Sequence, residues 1–215
     1  MNISENIKKF KEELNHVSLV AISKTKPTSD LMEAYNAGQR IFGENKIQEM
    51  TEKWEELPKD IEWHMVGHVQ RNKVKYMAPY VGLIHAVDSL KLLKEINKEA
   101  KKNDRIINCL LQIKIADEDS KFGITAEEAE AILKSEKLAE MNNVKITGLM
   151  GMATFTENKD QVKKEFQYLK SLFDEFQQKF KDLTILSMGM SGDYKIAVES
   201  GSNMVRIGSA IFGER

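Results

Sequence analysis

Short apolar runs alternate with helix-like stretches along nearly the whole chain, and no long linker interrupts them. Apolar runs of four to eight residues read as strands buried on both faces, and the longer stretches between them carry the helical period. Such strands need helices on either side, so the alternation calls for a parallel sheet. The spacing predicts strands over residues 17–23, 40–42, 62–66, 81–87, 106–115, 145–150, 183–187 and 204–207. It predicts helices over residues 2–14, 29–37, 46–56, 71–77, 90–102 and 159–180, with another starting near Thr125. Thr125-Ala126-Glu127-Glu128 has the form of a capping box, Thr first and Glu three residues on. Eight strands, each followed by a helix or by a turn that can start one, imply a single α/β domain over residues 1–215. The expected fold is a (β/α)8 TIM-like barrel with an extra N-terminal helix. An open doubly wound sheet is the alternative, although it usually spends fewer strands.

Composition narrows the function classes. A formal net charge of −1 lacks the electrostatic footprint of a nucleic-acid binder. The many lysines alternate with acidic residues, as on a solvated helix face. No stretch approaches the roughly 18 apolar residues of a membrane span. The first residues have no continuous apolar segment of the signal-peptide kind. The single cysteine, Cys109, lies in an apolar run and reads as a buried thiol, which fits a reducing compartment. A cytoplasmic protein is expected.

In a β/α barrel, reactive groups sit at the C-terminal ends of the strands. The first strand ends in Ser23-Lys24-Thr25-Lys26-Pro27. Side chains alternate along a strand, so Val20, Ile22 and Lys24 share one orientation. If that side faces inward, Lys24 stands at the top of the interior, where partial desolvation makes its amine available to an aldehyde. A solvated loop lysine is the competing reading, and Lys26 is the second candidate. Strand seven runs into Met190-Ser191-Gly192-Asp193, and strand eight into Arg206-Ile207-Gly208-Ser209. Two small-residue turns in the two places where barrels often bind phosphate favour a phosphate site over glycines that merely allow tight turns. Arg206, placed against a pyridine-type nitrogen, would leave that nitrogen unprotonated. A salt bridge within the barrel explains it equally well.

Further motifs carry a resemblance. They include Phe42-Gly43-Glu44-Asn45, Gln48-Glu49, Trp63-His64-Met65-Val66-Gly67-His68-Val69-Gln70-Arg71-Asn72-Lys73, Ser120-Lys121-Phe122-Gly123, Gly148-Leu149-Met150 and Ser187-Met188-Gly189-Met190-Ser191-Gly192-Asp193. With the Lys24 and Arg206 segments, in order and at matching spacing, the chain resembles the pyridoxal phosphate homeostasis proteins. Their barrel is similar to the N-terminal domain of alanine racemase, fold type III of the pyridoxal enzymes. The resemblance implies pyridoxal 5′-phosphate (PLP) as cofactor and Lys24 as its Schiff-base lysine. It implies Ser191, Gly208 and Ser209 as phosphate ligands, Arg206 as the partner of the pyridine nitrogen, and Asn45 beside the ring. Met65, Val69 and Lys114 depart from the usual residues. The first two changes are similar in volume, and Lys114 adds a positive charge of unassigned consequence.

The same resemblance implies a carrier and regulator of PLP and amino/keto-acid balance, with no catalytic residue and with PLP-dependent apoenzymes as partners. A racemase-like enzyme needs a second acid/base from a further domain, and none is expected in a chain of this length. A PLP-dependent racemase or lyase using Lys24 as its base is the alternative. A barrel enzyme that joins Lys24 to a phosphorylated sugar is a third reading. His64 and His68 stand four apart, but no carboxylate or cysteine completes a metal set beside them, so no metal is expected. Met150, Met152, Met188 and Met190 read as core packing. The apolar stripe of helix 159–180 can be absorbed by one barrel face, so a monomer is expected.

Overall fold

The computed structural model describes residues 2–116 and 122–214. Eight parallel strands pair in chain order: β1 (Ser18–Ile22), β2 (Ile41–Glu44), β3 (Glu62–Met65), β4 (Val81–Val87), β5 (Ile107–Ile113), β6 (Val144–Gly151), β7 (Ile185–Met190) and β8 (Met204–Ile207). β8 pairs with β1 and closes the barrel, with Val20 opposite Arg206. The expected (β/α)8 barrel is therefore the observed fold. Strands β4 and β8 match their expected spans. β5 stops at Ile113 rather than at residue 115, because the Lys114 N–H leaves the ladder and donates to the Ile124 carbonyl. β1 stops at Ile22, where Ser23 begins a turn closed by Lys26 N–H on its carbonyl at 3.1 Å.

Around the barrel lie α1 (Ile3–Leu14), α2 (Thr28–Asn36), α3 (Ile47–Glu56), α4 (Val74–Met77), α5 (Leu90–Lys102), α6 (Ala126–Leu133), α7 (Glu136–Ala139), α8 (Lys159–Lys179), α9 (Tyr194–Glu199) and α10 (Ser209–Phe212). Thr125 and Glu128 close the expected capping box on α6. The expected helix over residues 71–77 begins as a 3₁₀ turn at Arg71–Lys73 before α4. α10 has only four residues, too short to cover the strand before it. α1 fills that place, packing against α2, α10 and β1 and bonding Asn6 Nδ2 to the Ile211 carbonyl at 2.9 Å.

Strand parity divides the apolar residues into two sets. Phe42, Trp63, Met65 and Ile84 point outward, into a core shared with helix faces such as Phe166, Leu169, Phe173 and Phe176 of α8. Burying each such side chain contributes about 1.5–3 kcal/mol. Val20, Leu83, Leu110, Met150 and Met204 form a separate cluster with Ile22, Ile41 and Ile185. Its members come from strands on all sides of the barrel, so it fills the interior. Val20 and Ile22 therefore face inward, the orientation on which the Lys24 argument depends. Cys109 is buried, and burial pushes its thiol up, away from reactive thiolate. Among the described residues, no helix is long and apolar enough to cross a membrane.

Candidate functional site

A cavity of about 680 Å³ opens at the C-terminal ends of the strands, within the range of about 300–1,000 Å³ usual for ligand sites. Lys24, Asn45, Ser191, Arg206, Gly208 and Ser209 all line it. The six come from the segments after β1, β2 and β7, from β8 itself, and from the turn that follows it. The chain is long between them, and barrel closure brings them together.

Lys24 is half-buried in the turn after β1. That turn is held from below. Ser23 Oγ donates to Glu44 Oε1 at 2.6 Å, and Lys53 Nζ lies 2.7 Å from the Ser23 carbonyl, from Glu44 Oε1 and from Glu49 Oε1. Glu44 and Lys53 are both buried, and burial raises the Glu44 carboxyl against the opposing pull of Lys53. Lys26 also lines the cavity, and its Nζ donates to the Glu214 carbonyl at 3.0 Å. Asn45 follows β2, and Gly67 lets its backbone come close: a Cβ on Gly67 would lie 2.3 Å from the Asn45 oxygen.

The turns after β7 and β8 meet at one atom. Ser191 Oγ accepts the N–H of Gly208 at 3.1 Å and that of Ala210 at 3.4 Å. Two backbone donors from the turn after β8 thus converge on one oxygen, the arrangement that anion-binding turns use. Asp193 shapes the first turn by accepting the Met190 N–H at 2.6 Å.

Arg206 is buried, and three of its hydrogen bonds go to the Ser187 carbonyl at 3.0 Å, to Ser187 Oγ at 2.7 Å and to the Gly151 carbonyl at 3.1 Å. These acceptors are neutral, whereas the salt-bridge reading expected a carboxylate in that role. Burial pushes the guanidinium down to about 10 while Asp193 pulls it up, so it stays protonated at neutral pH. It is a donor only.

Several expectations change. Met150 and Met188 are core residues, but Met152 and Met190 line the cavity. They extend past the ends of the barrel layers, where the mouth opens. His68 also lines the mouth, stacked on Phe122 at 5.3 Å, whereas His64 lies in the barrel interior, so the two diverge. Lys114 is exposed and does not line the cavity. Ser120 and Lys121 lie outside the described residues. Glu44, Glu49 and Lys53 escaped the functional reading, and so did His85, which bonds to Ser187 at 3.0 Å. The signal for His85 was a histidine inside a seven-residue apolar strand.

A family model described as the alanine racemase N-terminal domain matches residues 1–215. The pyridoxal phosphate homeostasis protein of Aquifex aeolicus is 40% identical over 203 residues, covering 94% of this chain and 88% of the relative. The chain belongs to the pyridoxal phosphate homeostasis protein family. The human protein of the same name is 41% identical over 210 residues, covering 92% of this chain and 76% of that one. The fold is also that of PipY of Synechococcus elongatus PCC7942, solved with PLP bound. That structure is 34% identical, with a TM-score of 0.89, and the match covers 98% of this chain and 100% of PipY. The motifs had indicated this same family.

Proposed function

We propose that this protein binds PLP in the barrel mouth as a carrier and buffer, and so regulates intracellular PLP and amino/keto-acid balance. The observation that carries the proposal is the meeting in one cavity of a lysine, two turns converging on Ser191 Oγ, and a buried guanidinium. These groups fit the cofactor. An oxygen already occupies the point at which the Gly208 and Ala210 amides aim, and a phosphate is rich in such acceptors.

When bound, PLP supplies an aldehyde that condenses with a primary amine, and a pyridine ring that can draw electrons from it. Lys24 provides the amine. Ser191, Gly208 and Ser209 hold the phosphate through hydroxyls and backbone N–H groups. Asn45, which lines the same cavity, would stand beside the ring. Arg206 donates to the ring nitrogen and, remaining protonated itself, keeps that nitrogen unprotonated and the ring a weak electron sink. This favours holding the cofactor over turning over amino acids. The homeostasis name of the relatives supports the same reading. We assign the role to one barrel domain, monomeric and cytoplasmic, with PLP-dependent apoenzymes as recipients.

The test is covalent trapping. Protein incubated with PLP should turn yellow, and borohydride should fix a phosphopyridoxyl group on the peptide containing Lys24. A colourless protein that stays unmodified ends the proposal. Sustained exchange of amino-acid α-protons in deuterated water, with turnover, would replace the carrier with an enzyme.

A further inference from the structure

A hydrogen-bonded chain crosses the barrel interior from its N-terminal face to Arg206. Glu62, at the start of β3, is about half exposed, and its Oε1 lies 3.0 Å from His64 Nε2. Gly82 leaves room for it, since a Cβ there would stand 2.8 Å from Glu62 Cγ. His64 Nδ1 lies 3.0 Å from His85 Nε2, and His85 Nδ1 lies 3.0 Å from Ser187 Oγ. Ser187 Oγ accepts from Arg206 Nη1 at 2.7 Å. His64, His85, Ser187 and Arg206 are all buried.

The two ends give the chain its direction. A guanidinium only donates and an ionised carboxylate only accepts. A consistent assignment therefore runs Arg206 to Ser187 to His85 to His64 to Glu62, with each imidazole neutral and protonated on Nε2. The titratable and charged groups facing His85 are His64 from β3 and Arg206 from β8, and Asp193 after β7 faces Arg206. Burial first, then the charges of His64 and Arg206, pushes His85 well below the usual histidine range, in keeping with a neutral ring. The chain runs beside the apolar interior cluster of Val20, Leu83, Leu110, Met150 and Met204, and barrels mostly fill this space with branched aliphatic side chains. Packing alone gives no reason to bury two histidines and a serine here, because each must find partners to offset its desolvation.

We propose that His85 and Ser187 are positioning residues for Arg206. The chain anchored at Glu62 fixes the guanidinium so that its remaining N–H groups face the mouth, and it thereby keeps the ring nitrogen of bound PLP unprotonated. This rests on the PLP-binding reading above.

The experiment uses full-length holoprotein and records the visible absorption of bound PLP across the neutral pH range, PLP affinity, and apo-protein melting. In the wild type the absorption should be independent of pH. In Ser187→Ala and His85→Leu it should become pH-dependent, as water gains the ring nitrogen, and affinity should fall about tenfold. His85→Asn keeps an acceptor for the Ser187 hydroxyl and should restore the flat profile. Ser187→Ala removes a single oxygen and keeps the test available if His85→Leu does not fold. Lower melting temperatures with a wild-type absorption profile would show a purely structural role and overturn the proposal. A wild-type protein that neither colours nor traps PLP on Lys24 would instead sink the binding reading itself, a separate result.

Discussion

Thr25 donates its backbone N–H to Glu49 Oε1 at 2.5 Å while holding φ at +64°, a left-handed conformation that a β-branched residue seldom adopts. Such strain persists only where surrounding contacts impose it. Here the contacts are Glu49, itself paired with buried Lys53, and the closed turn from Ser23 to Lys26. The residue next to Lys24 is thus locked by α3 rather than left to a mobile loop.

Removing the lysine beneath that turn should be costly. Lys53→Met strands Glu44, whose Oε2 already has no hydrogen-bond partner among the described residues. Urea denaturation should show a loss of about 3–5 kcal/mol. Adding Glu44→Leu should recover most of it, since a buried pair replaced by apolar side chains is often neutral. A single variant as stable as the wild type would refute this account of the turn.

Lys24→Ala should abolish borohydride trapping and change stability by no more than about 0.5 kcal/mol, because the side chain is not part of the core. Lys26→Ala should keep the adduct. Peptide mass spectrometry distinguishes the two, and an adduct that moves to Lys26 would reassign the amine.

The phosphate contact can be isolated by comparing two ligands. Ser191→Ala should weaken PLP about tenfold, the worth of one hydrogen bond to a charged group. It should leave pyridoxal, which lacks the phosphate, unchanged. Equal losses for both ligands in a fluorescence titration would place Ser191 elsewhere on the cofactor.

Acid should destabilise the fold through His85. Its folded value is depressed, so its stabilising contribution is complete above the unfolded histidine value of about 6.5 and is lost as pH falls toward the folded one. The slope from this group is at most about 1.4 kcal/mol per pH unit. His85→Asn should remove it, as read from denaturation midpoints at successive pH values. An unchanged slope would mean that other groups carry the acid response.

The barrel was legible because eight apolar runs kept their spacing, and the mouth residues were legible because strand ends are where barrels place chemistry. Parity put Val20, Ile22 and Lys24 on one side, and only the fold shows Val20 and Ile22 facing inward; the same count on β3, β4 and β7 reaches His64, His85 and Ser187. Their connection to one another went unread because a polar residue within an apolar strand gives no sign of what faces it across the barrel. The Lys53 cluster was hidden for a related reason. Lys53 and Glu49 look like a helix-surface pair four apart, and only the fold turns them beneath the Lys24 turn. Met152 and Met190 were misjudged because an apolar side chain suits a core and a ligand cavity equally well.

The pairing of Val20 with Arg206 also bears on when the protein becomes competent during folding. Lys24 follows the first strand and Arg206 lies on the last, so the two halves of the site meet only at the final seam of the barrel. Contacts so distant in sequence form slowly. A chain emerging from the ribosome would carry Lys24 long before it had any pocket. If the proposed site is the PLP site, capture would follow docking of the eighth strand, and loading would report completed folding.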